Sequence, residues 1–199
     1  AVMAFKQRHP RIQVEVLFHN SARVIQLVEE GAVDFGFAGG LTDLPPGVSA
    51  TPVHVEHLAL VAPPGHPLIG HRAVAPADLA PHMLAIRERG TYTRRRVEEW
   101  FGDVKMPENL VEIGRIEAAI QMALAGCLTF VPAGAIRSDA PGRRLVRLPA
   151  RGLAFDLEYN LYLYGEEIPS VAVRVFLELL ATLPVLSRPA PLRRRLATR

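Results

Sequence analysis

The sequence predicts an α/β protein made of two lobes that are joined by two crossover strands. Strand and helix patterns alternate along the 199 residues, and residues 12–40 form a strand, helix, strand unit. Two apolar extended segments, near 55–62 and near 157–164, bracket a second alternating series. Two strands that cross between lobes return the C-terminal helix to the first lobe, so we expect a hinged pair with a cleft between the lobes.

The first lobe begins with a helix, a strand and a second helix. Residues 1–9 have the apolar spacing of the end of an amphipathic helix, which a proline closes. Residues 12–18 alternate apolar and polar side chains, which predicts a strand with one apolar face. Asn20 and Ser21 then offer N-cap side chains to a helix over residues 22–30.

A short apolar strand and a long extended segment follow. Residues 33–40 predict a strand that finishes in Gly39 and Gly40. Residues 51–63 predict a longer strand, and its second half is apolar throughout, as expected of a strand that is covered on both faces.

The second lobe continues the alternation. Its predicted elements are a short helix at 77–80, a strand at 83–87, a helix at 93–101, a strand at 109–113, a helix at 116–125 and a strand at 128–132. Strands at 145–149 and 155–165 come next, and Ser170 caps a closing helix over residues 171–183.

The charge is concentrated at the C-terminus. Residues 184–199 hold five of the 23 bases and none of the 20 acids, so the rest of the chain carries 18 bases against 20 acids. We therefore predict a nearly neutral body and a disordered basic tail over 184–199, with a nucleic-acid patch as the alternative for the tail. No signal-peptide pattern or membrane-spanning apolar run occurs, so the expected location is cytoplasmic.

Two predicted helix starts favour anion binding. Open α/β sheets bind ligands at the carboxyl ends of their strands, where helix N-termini add peptide N–H groups and positive potential. Asn20 and Ser21 begin one such helix, and simple capping is the alternative for both. In the other lobe, Gly90 is followed by a hydroxyl-rich helix start, and capping is again the alternative; its residues are Thr91, Tyr92 and Thr93.

Three further places are candidate ligand contacts. Arg87, at a strand end, suits an acidic ligand or a surface acid. Gly39 and Gly40 form a turn and leave room for a ligand. An apolar wall of the cleft, or else core packing, is expected for Phe130, Val131 and Pro132. Arg94, Arg95 and Arg96 fan around a helix axis and are predicted to be a solvated face.

Catalysis and metal binding find little support. His54 and His57 are three residues apart in an extended segment and so point to opposite faces, and no zinc-protease, nucleophile-elbow or phosphate-loop spacing occurs. The single cysteine, Cys127, lies in an apolar run and suits packing. We therefore predict no catalytic residue, no metal and no cofactor.

FKQRHP, EEGAVDFGFAGG, HLALVAPPGHPL and RERGTYTRRRVEEWF follow one another along the chain. In this order and spacing they resemble the effector-binding (substrate-binding) domain of LysR-type transcriptional regulators. FKQRHP resembles the family's first helix and turn, EEGAVDFGFAGG its E-G-x-(L/V)-D-x-(A/G) strand, and HLALVAPPGHPL its crossover strand and H-P-L turn. RERGTYTRRRVEEWF resembles its second-lobe helix start, particularly in the branch that regulates carbon fixation or sulfur assimilation. The resemblance covers about residues 1–183.

The resemblance implies a fold of two Rossmann-like lobes of the periplasmic-binding-protein type 2 kind. The first lobe is then 1–60 plus 160–183 and the second is 61–159. It also implies a sensor that binds a small, anionic effector in the interlobe cleft and acts as a homodimer or homotetramer. The family pairs through surfaces that correspond here to residues 1–18 and 93–102. Promoter DNA would be bound through a headpiece absent from this chain.

The sequence departs from the family at its start. The family's winged helix-turn-helix, and the small-residue strand that opens its effector domain, do not precede Ala1. Because that strand lies inside the first lobe's sheet, its absence leaves strand edges unpaired, and we predict a marginally stable or aggregation-prone chain unless another segment fills the gap.

Two other functions are the alternatives to an effector sensor. One is a transporter's solute-binding protein, which an export signal would identify, and the other is a two-lobed enzyme, which would need an acid and a base together in the cleft.

Overall fold

The computed structural model describes residues 1–40, 43–136, 145–153, 156–184 and 186–197. Contacts divide the chain into two units. Unit 1 comprises Ala1–Val55 and Glu158–Arg199, and unit 2 comprises Glu56–Leu157. The chain therefore passes from one unit to the other twice, within two long strands.

Unit 1 contains helices from both ends of the chain. Its elements are α1 (Val2–Arg8), α2 (Ser21–Glu29), β1 (Gly36–Gly39), the first half of β2 (Val48–Ala62), most of the strand Asp156–Tyr164, and the helices Val171–Thr182 and Pro189–Ala197. β1 pairs antiparallel with the strand Asp156–Tyr164, in the register Ala38↔Asn160. That strand in turn lies next to β2.

Two apolar clusters hold unit 1 together. One packs α2 on the sheet through Ile25, Val28, Ala38, Val48 and Tyr162. The other packs the two C-terminal helices and is formed by Val53, Leu161, Leu163, Val173, Leu177, Leu180, Ala181 and Leu192. Because each strand residue alternates in direction, Leu161 and Tyr162 serve the two opposite faces of one strand.

Residues 12–18 differ from their prediction, because they form no strand. The segment has no ladder partner among the described residues. Its apolar side chains stay accessible: Val16 is 50% exposed and Phe18 is 82% exposed. A groove of about 530 Å³ lies between this segment, α1, β1 and the helix Val171–Thr182. An alternating pattern alone does not make a strand where no neighbouring strand supplies hydrogen bonds.

Unit 2 is built around a mixed sheet. In chain order it contains the second half of β2, a 3₁₀ turn (Pro76–Leu79), β3 (Leu84–Arg87), α3 (Tyr92–Phe101), β4 (Leu110–Ile113), α4 (Ile116–Leu124), β5 (Leu128–Pro132) and β6 (Val146–Leu148). The strand Asp156–Tyr164 is β7, the helix Val171–Thr182 is α5 and the helix Pro189–Ala197 is α6.

The strand order in unit 2 is β2, β5, β3, β4. β3 is parallel to both β4 and β5, whereas β2 runs antiparallel to β5 and β6. α4 packs through Ala119 and Ala123 against a cluster that includes Ala59, Val61 and Val131. On α3, Trp100 donates from Nε1 to the Arg151 carbonyl oxygen at 2.8 Å. This hydrogen bond ties α3 to the residues that follow β6.

The predicted disordered tail is wrong over most of its length, because residues 189–197 form α6. Leu192 is fully buried in the second cluster of unit 1. The Arg195 guanidinium donates to Thr51 Oγ1 at 3.1 Å, Ser49 Oγ at 2.8 Å and the Glu166 carbonyl oxygen at 3.0 Å. The arginines had suggested a solvated terminus, but buried Leu192 and the hydrogen bonds of Arg195 dock the helix on unit 1. Residues 185, 198 and 199 lie outside the described residues.

The boundaries between the units fall at Val55/Glu56 and Leu157/Glu158. The lobe boundaries of 60/61 and 159/160 that the sequence suggested remain a prediction. Unit 1 also takes in the C-terminal segment that had been set apart as a tail. Both crossings lie inside continuous strands, and no composition change in the sequence marks them.

Candidate functional site

The start of α2 is built as expected from Asn20 and Ser21. Asn20 has extended backbone angles and its Oδ1 accepts a hydrogen bond from the Arg23 N–H at 3.0 Å, so it is the N-cap. Ser21 is the first helical residue and is buried. The cap satisfies the N–H of Arg23, and the N–H groups of Ser21 and Ala22, which also have no partner within the helix, are potential donors.

Gly39 and Gly40 lie at the carboxyl end of β1, beside β7. The Tyr162 hydroxyl donates to the Gly39 carbonyl oxygen at 3.2 Å, and the Gly40 N–H donates to the Glu158 carbonyl oxygen at 2.7 Å. A Cβ on Gly40 would come within 3.4 Å of both Asn160 Nδ2 and that carbonyl oxygen. A Cβ at this position would therefore be in ordinary van der Waals contact with β7.

The start of α2 and the end of β1 lie on the same side of unit 1. A Cβ on Gly36 would meet the side chains of Val24 and Val28, so α2 covers the face of β1 that carries the even-numbered residues. α2 leads into β1 through a short turn and hence runs antiparallel to it. One helical turn before Val24 is Asn20, which places the first turn of α2 toward the Ala38–Gly40 end of the strand.

Asn160 was missed in the sequence. It pairs with Ala38 across the ladder and is 6% exposed. Its Nδ2 donates to the Tyr162 hydroxyl oxygen at 3.3 Å, whereas its Oδ1 is buried without a hydrogen-bond partner among the described residues. A polar residue in an alternating strand normally indicates a solvated face. Nothing in the local pattern reveals that this one points into the covered face.

The hydroxyl-rich start of α3 is also a capped helix start. Gly90 has φ +83°, a conformation that favours glycine. Thr91 is the N-cap: its Oγ1 accepts from the Arg94 N–H at 3.2 Å and donates to the Glu88 carbonyl oxygen at 2.8 Å. Tyr92 begins the helix with the Arg95 guanidinium 5.2 Å from its ring centroid, and Thr93 is buried.

Basic and acidic side chains surround the carboxyl end of β3. Arg87 donates from Nη2 to the Gly114 carbonyl oxygen at 3.0 Å. Arg94 is 7% exposed, so its predicted place on a solvated face is wrong. Its guanidinium contacts Glu98 Oε1 at 2.6 Å and Glu112 Oε2 at 3.3 Å. Helical spacing showed the three arginines fanning around α3 but not which of them faces the sheet.

The strand end at Phe130, Val131 and Pro132 is buried. Phe130 is 2% exposed and meets the Trp100 ring edge-on, with 5.4 Å between the ring centroids. Val131 belongs to the cluster under α4. The side chains of these two residues thus pack in the core of unit 2, and Pro132 ends β5.

The histidines and the cysteine form no reactive cluster in the part of the chain that the structure describes. No group of three or more His, Cys, Asp or Glu side chains is placed to hold a metal ion among those residues. His57 pairs with Asp156 at 2.7 Å on the surface. Cys127 is buried, and that burial raises the pKa of its thiol. Across the described ranges, no helix is long and apolar enough to cross a membrane.

Comparison with known proteins identifies the family. Residues 1–184 match the model of the LysR substrate binding domain. The chain belongs to this family. It is a family of effector-binding domains of transcriptional regulators and not an enzyme family. The motifs quoted above from FKQRHP to the α3 start are therefore those of a LysR domain, and the resemblance drawn from the sequence is confirmed.

Individual relatives agree with the family. The chain is 31% identical to the RuBisCO operon transcriptional regulator of Allochromatium vinosum over 84% of its length, and 31% identical to the regulator CbbR of Xanthobacter flavus over 77%. It spans 56% and 47% of those two relatives. The regulatory domain of CcmR from Synechocystis, solved with 2-PG, has a TM-score of 0.76 at 20% identity, covering 90% of this chain and 86% of that one. That likeness confirms the expected periplasmic-binding-protein type 2 fold.

Proposed function

We propose that this chain is the effector-sensing domain of a LysR-family regulator and that its effector is a small organic anion. The observation that carries the proposal is the pair of capped helix starts within a matched LysR domain, one in each unit. Helix N-termini attract anions through their peptide N–H groups and the helix dipole. Arg87 adds a guanidinium near the α3 start, and Gly39 and Gly40 add room near the α2 start.

The proposal includes the other predicted contacts and the mode of action. The effector contacts the strand ends and helix starts named above, and its binding changes the populations of conformations in the intact regulator. Oligomer geometry and promoter binding respond to the effector because the effector site and the DNA-binding headpiece are coupled to the same equilibrium between conformations. Such a regulator works in the cytoplasm and reaches DNA through a separate headpiece.

The test is a thermal-shift screen of the purified chain against small carboxylates and phosphate esters. A ligand that binds only the folded state raises the free energy of unfolding by RT ln(1 + [L]/Kd), so a true effector raises the Tm with increasing concentration. We expect Asn20→Ala and Thr91→Ala each to weaken that ligand's binding. If no anion shifts the Tm at any concentration, the anionic effector class is wrong.

A matched control separates binding from capping. Ser170 caps α5 in the same way, since its Oγ accepts from the Val173 N–H at 3.2 Å. Ser170→Ala should therefore cost a comparable amount of stability, about 1 kcal/mol, and leave effector affinity unchanged. Equal losses of affinity in Ser170→Ala and Thr91→Ala would mean that the two hydroxyls act on stability alone.

We further propose that the domain self-associates as a homodimer or as part of a homotetramer. The surfaces proposed for pairing are residues 1–18 and α3. Exposed apolar side chains in the first surface support the proposal: Met3 is 74% exposed and Phe18 is 82% exposed. Sedimentation should show a concentration-dependent dimer that Met3→Ser weakens, while Val171→Ser, at a position 77% exposed on α5, leaves it intact.

A further inference from the structure

Asn160 carries an acceptor that the fold itself does not use. Its side chain is more than nine-tenths buried on β7, yet Oδ1 accepts no hydrogen bond from any residue that the structure describes. Buried polar atoms in folded proteins are nearly always paired, because the loss of hydration is otherwise uncompensated. An exception at this position therefore calls for a physical explanation.

The hydrogen-bond network fixes which atom of the amide is left over. A phenol has one proton, and the Tyr162 hydroxyl gives it to the Gly39 carbonyl oxygen. Toward Asn160 the phenol oxygen can then act only as an acceptor, so the amide must present Nδ2 to it. Turning the amide over would bring two acceptors together. The unused atom is thus an oxygen, which can be satisfied only by a donor.

The unused oxygen belongs to the same region as the proposed anion contact of unit 1. Asn160 faces the same side of the sheet as Tyr162, two residues on, and Tyr162 packs under α2. Its ladder partner is Ala38, and its Nδ2 approaches Gly40. The first turn of α2 lies toward this end of β1. Peptide donors for an anion and an acceptor for a donor group therefore lie on the same face of the sheet and toward the same end of β1.

We propose that Asn160 is a specificity-determining residue whose Oδ1 accepts a hydrogen bond from a hydroxyl group of the effector. The effector is then a hydroxylated organic anion, such as a hydroxy acid or a phosphate ester of a polyol. This inference rests on the proposed function, because it assigns a second contact at the anion-binding helix start. A site built to bond a substrate hydroxyl discriminates strongly against the analogue that lacks it.

A hydroxyl fits the position better than an ammonium group does. A buried ammonium requires a compensating negative charge. The nearest carboxylate on this face of β7 is Glu158, and its Oε2 already pairs with the Arg188 guanidinium at 3.2 Å. The amide oxygen is neutral and can satisfy a neutral donor without further charge.

The test compares matched anions with and without hydroxyl groups. Glycerol 3-phosphate is paired with n-propyl phosphate, and glycerate with propionate, and binding to the purified chain is measured by NMR titration. We expect the unaltered chain to bind the hydroxylated member of at least one pair about tenfold more tightly. Asn160→Leu should bind both members of that pair equally, at the affinity of the member without hydroxyls.

Controls separate specificity from folding. Thr129→Val removes another buried polar group, whose Oγ1 donates to the Ala85 carbonyl oxygen, and should leave the preference intact. Asn160→Ala replaces Asn160→Leu if the larger side chain does not fold. Equal binding of both members by the unaltered chain, or an Asn160 variant that weakens both equally, would overturn the role of Asn160 while the anion contact stands. Binding of none of the four anions would contradict the anionic effector itself.

Discussion

The imidazoles of His66 and His82 are neighbours in unit 2. Their ring centroids are 4.6 Å apart, and the pKa of His66 is lowered from its usual value of 6.5, first by burial and second by His82. A depressed pKa means that the folded state binds the proton less readily than the unfolded state. The contribution to stability is therefore present above pH 6.5 and is lost as the pH falls through the folded pKa of His66.

His82→Gln should raise the pKa of His66 without restoring it fully. The substitution removes the smaller of the two causes, like-charge repulsion, and leaves burial in place. An NMR titration of the His66 ring measures the change. An unchanged pKa in the variant would show that the two rings do not interact electrostatically.

The single thiol should be unreactive in the folded chain. Cys127 is 3% exposed, and its pKa is raised by burial, so little of the nucleophilic thiolate forms at neutral pH. Iodoacetamide should modify Cys127 at least about tenfold more slowly in the native chain than in urea. Equal rates would indicate that the segment before β5 opens readily.

At the residue scale, the sequence indicated the caps but not the buried polar atoms. Asn20, Thr91 and Ser170 each precede an apolar helical pattern, and capping residues are recognisable from that position alone. Asn160 and Arg94 could not be recognised in this way, since each also contacts an element that a local pattern does not include: Asn160 pairs with Ala38 of β1, and Arg94 with Glu112 of β4. Which polar residue turns inward depends on packing that a single local pattern does not encode.

Among the elements, α6 is anchored to unit 1 by one fully buried side chain. Leu192 is fully buried against residues of α5 and β7. Leu192→Ala should lower the free energy of unfolding by about 2–5 kcal/mol, because it removes buried methyl groups and leaves a cavity. Urea denaturation measures this loss. Val171→Ala, at a position 77% exposed, should change stability by less than about 0.5 kcal/mol; a similarly small effect of Leu192→Ala would mean that α6 is not docked in solution.

The types of helices and strands were predicted well where the apolar face of the segment packs against a neighbouring element. β3, α3, β4, α4 and β5 all appear in the predicted order, and the parallel pairing of β3 with β4 and β5 follows from their helical connections. Residues 12–18 had an equally clear pattern and form no strand. α6 had a polar composition and is nevertheless a docked helix. In both cases the outcome depends on a neighbour and not on the segment itself.

For the molecule as a whole, the accessible edge of β1 remains the weak point of unit 1. Gly40 bonds to Glu158 on the β7 side, and antiparallel ladders alternate, so the peptide groups of Phe37 point away from β7, toward the groove. Unpaired edges favour association with other chains. The prediction of marginal stability or aggregation therefore stands as a prediction for this chain.

Hydrogen exchange and thermal unfolding test that prediction together. We expect the Phe37 amide to exchange much faster than the Ala38 amide, and heating to end in concentration-dependent association. Phe18→Ser should reduce that association, because Phe18 is 82% exposed beside the groove. A cooperative, reversible unfolding transition of a monomer at ordinary temperatures, with a protected Phe37 amide, would contradict the prediction.

The C-terminal segment has a practical consequence for where the domain is considered to end. The family match stops at residue 184, but the fold continues beyond it. The Val55 N–H donates to Ser187 Oγ at 2.7 Å and Arg188 pairs with Glu158, so these two residues brace both strands at the points where they leave unit 1. A domain boundary drawn at residue 184 from sequence similarity would therefore remove Ser187 and Arg188. An expressed fragment that ends there would lose the contacts that restrain β2 and β7 where they leave unit 1.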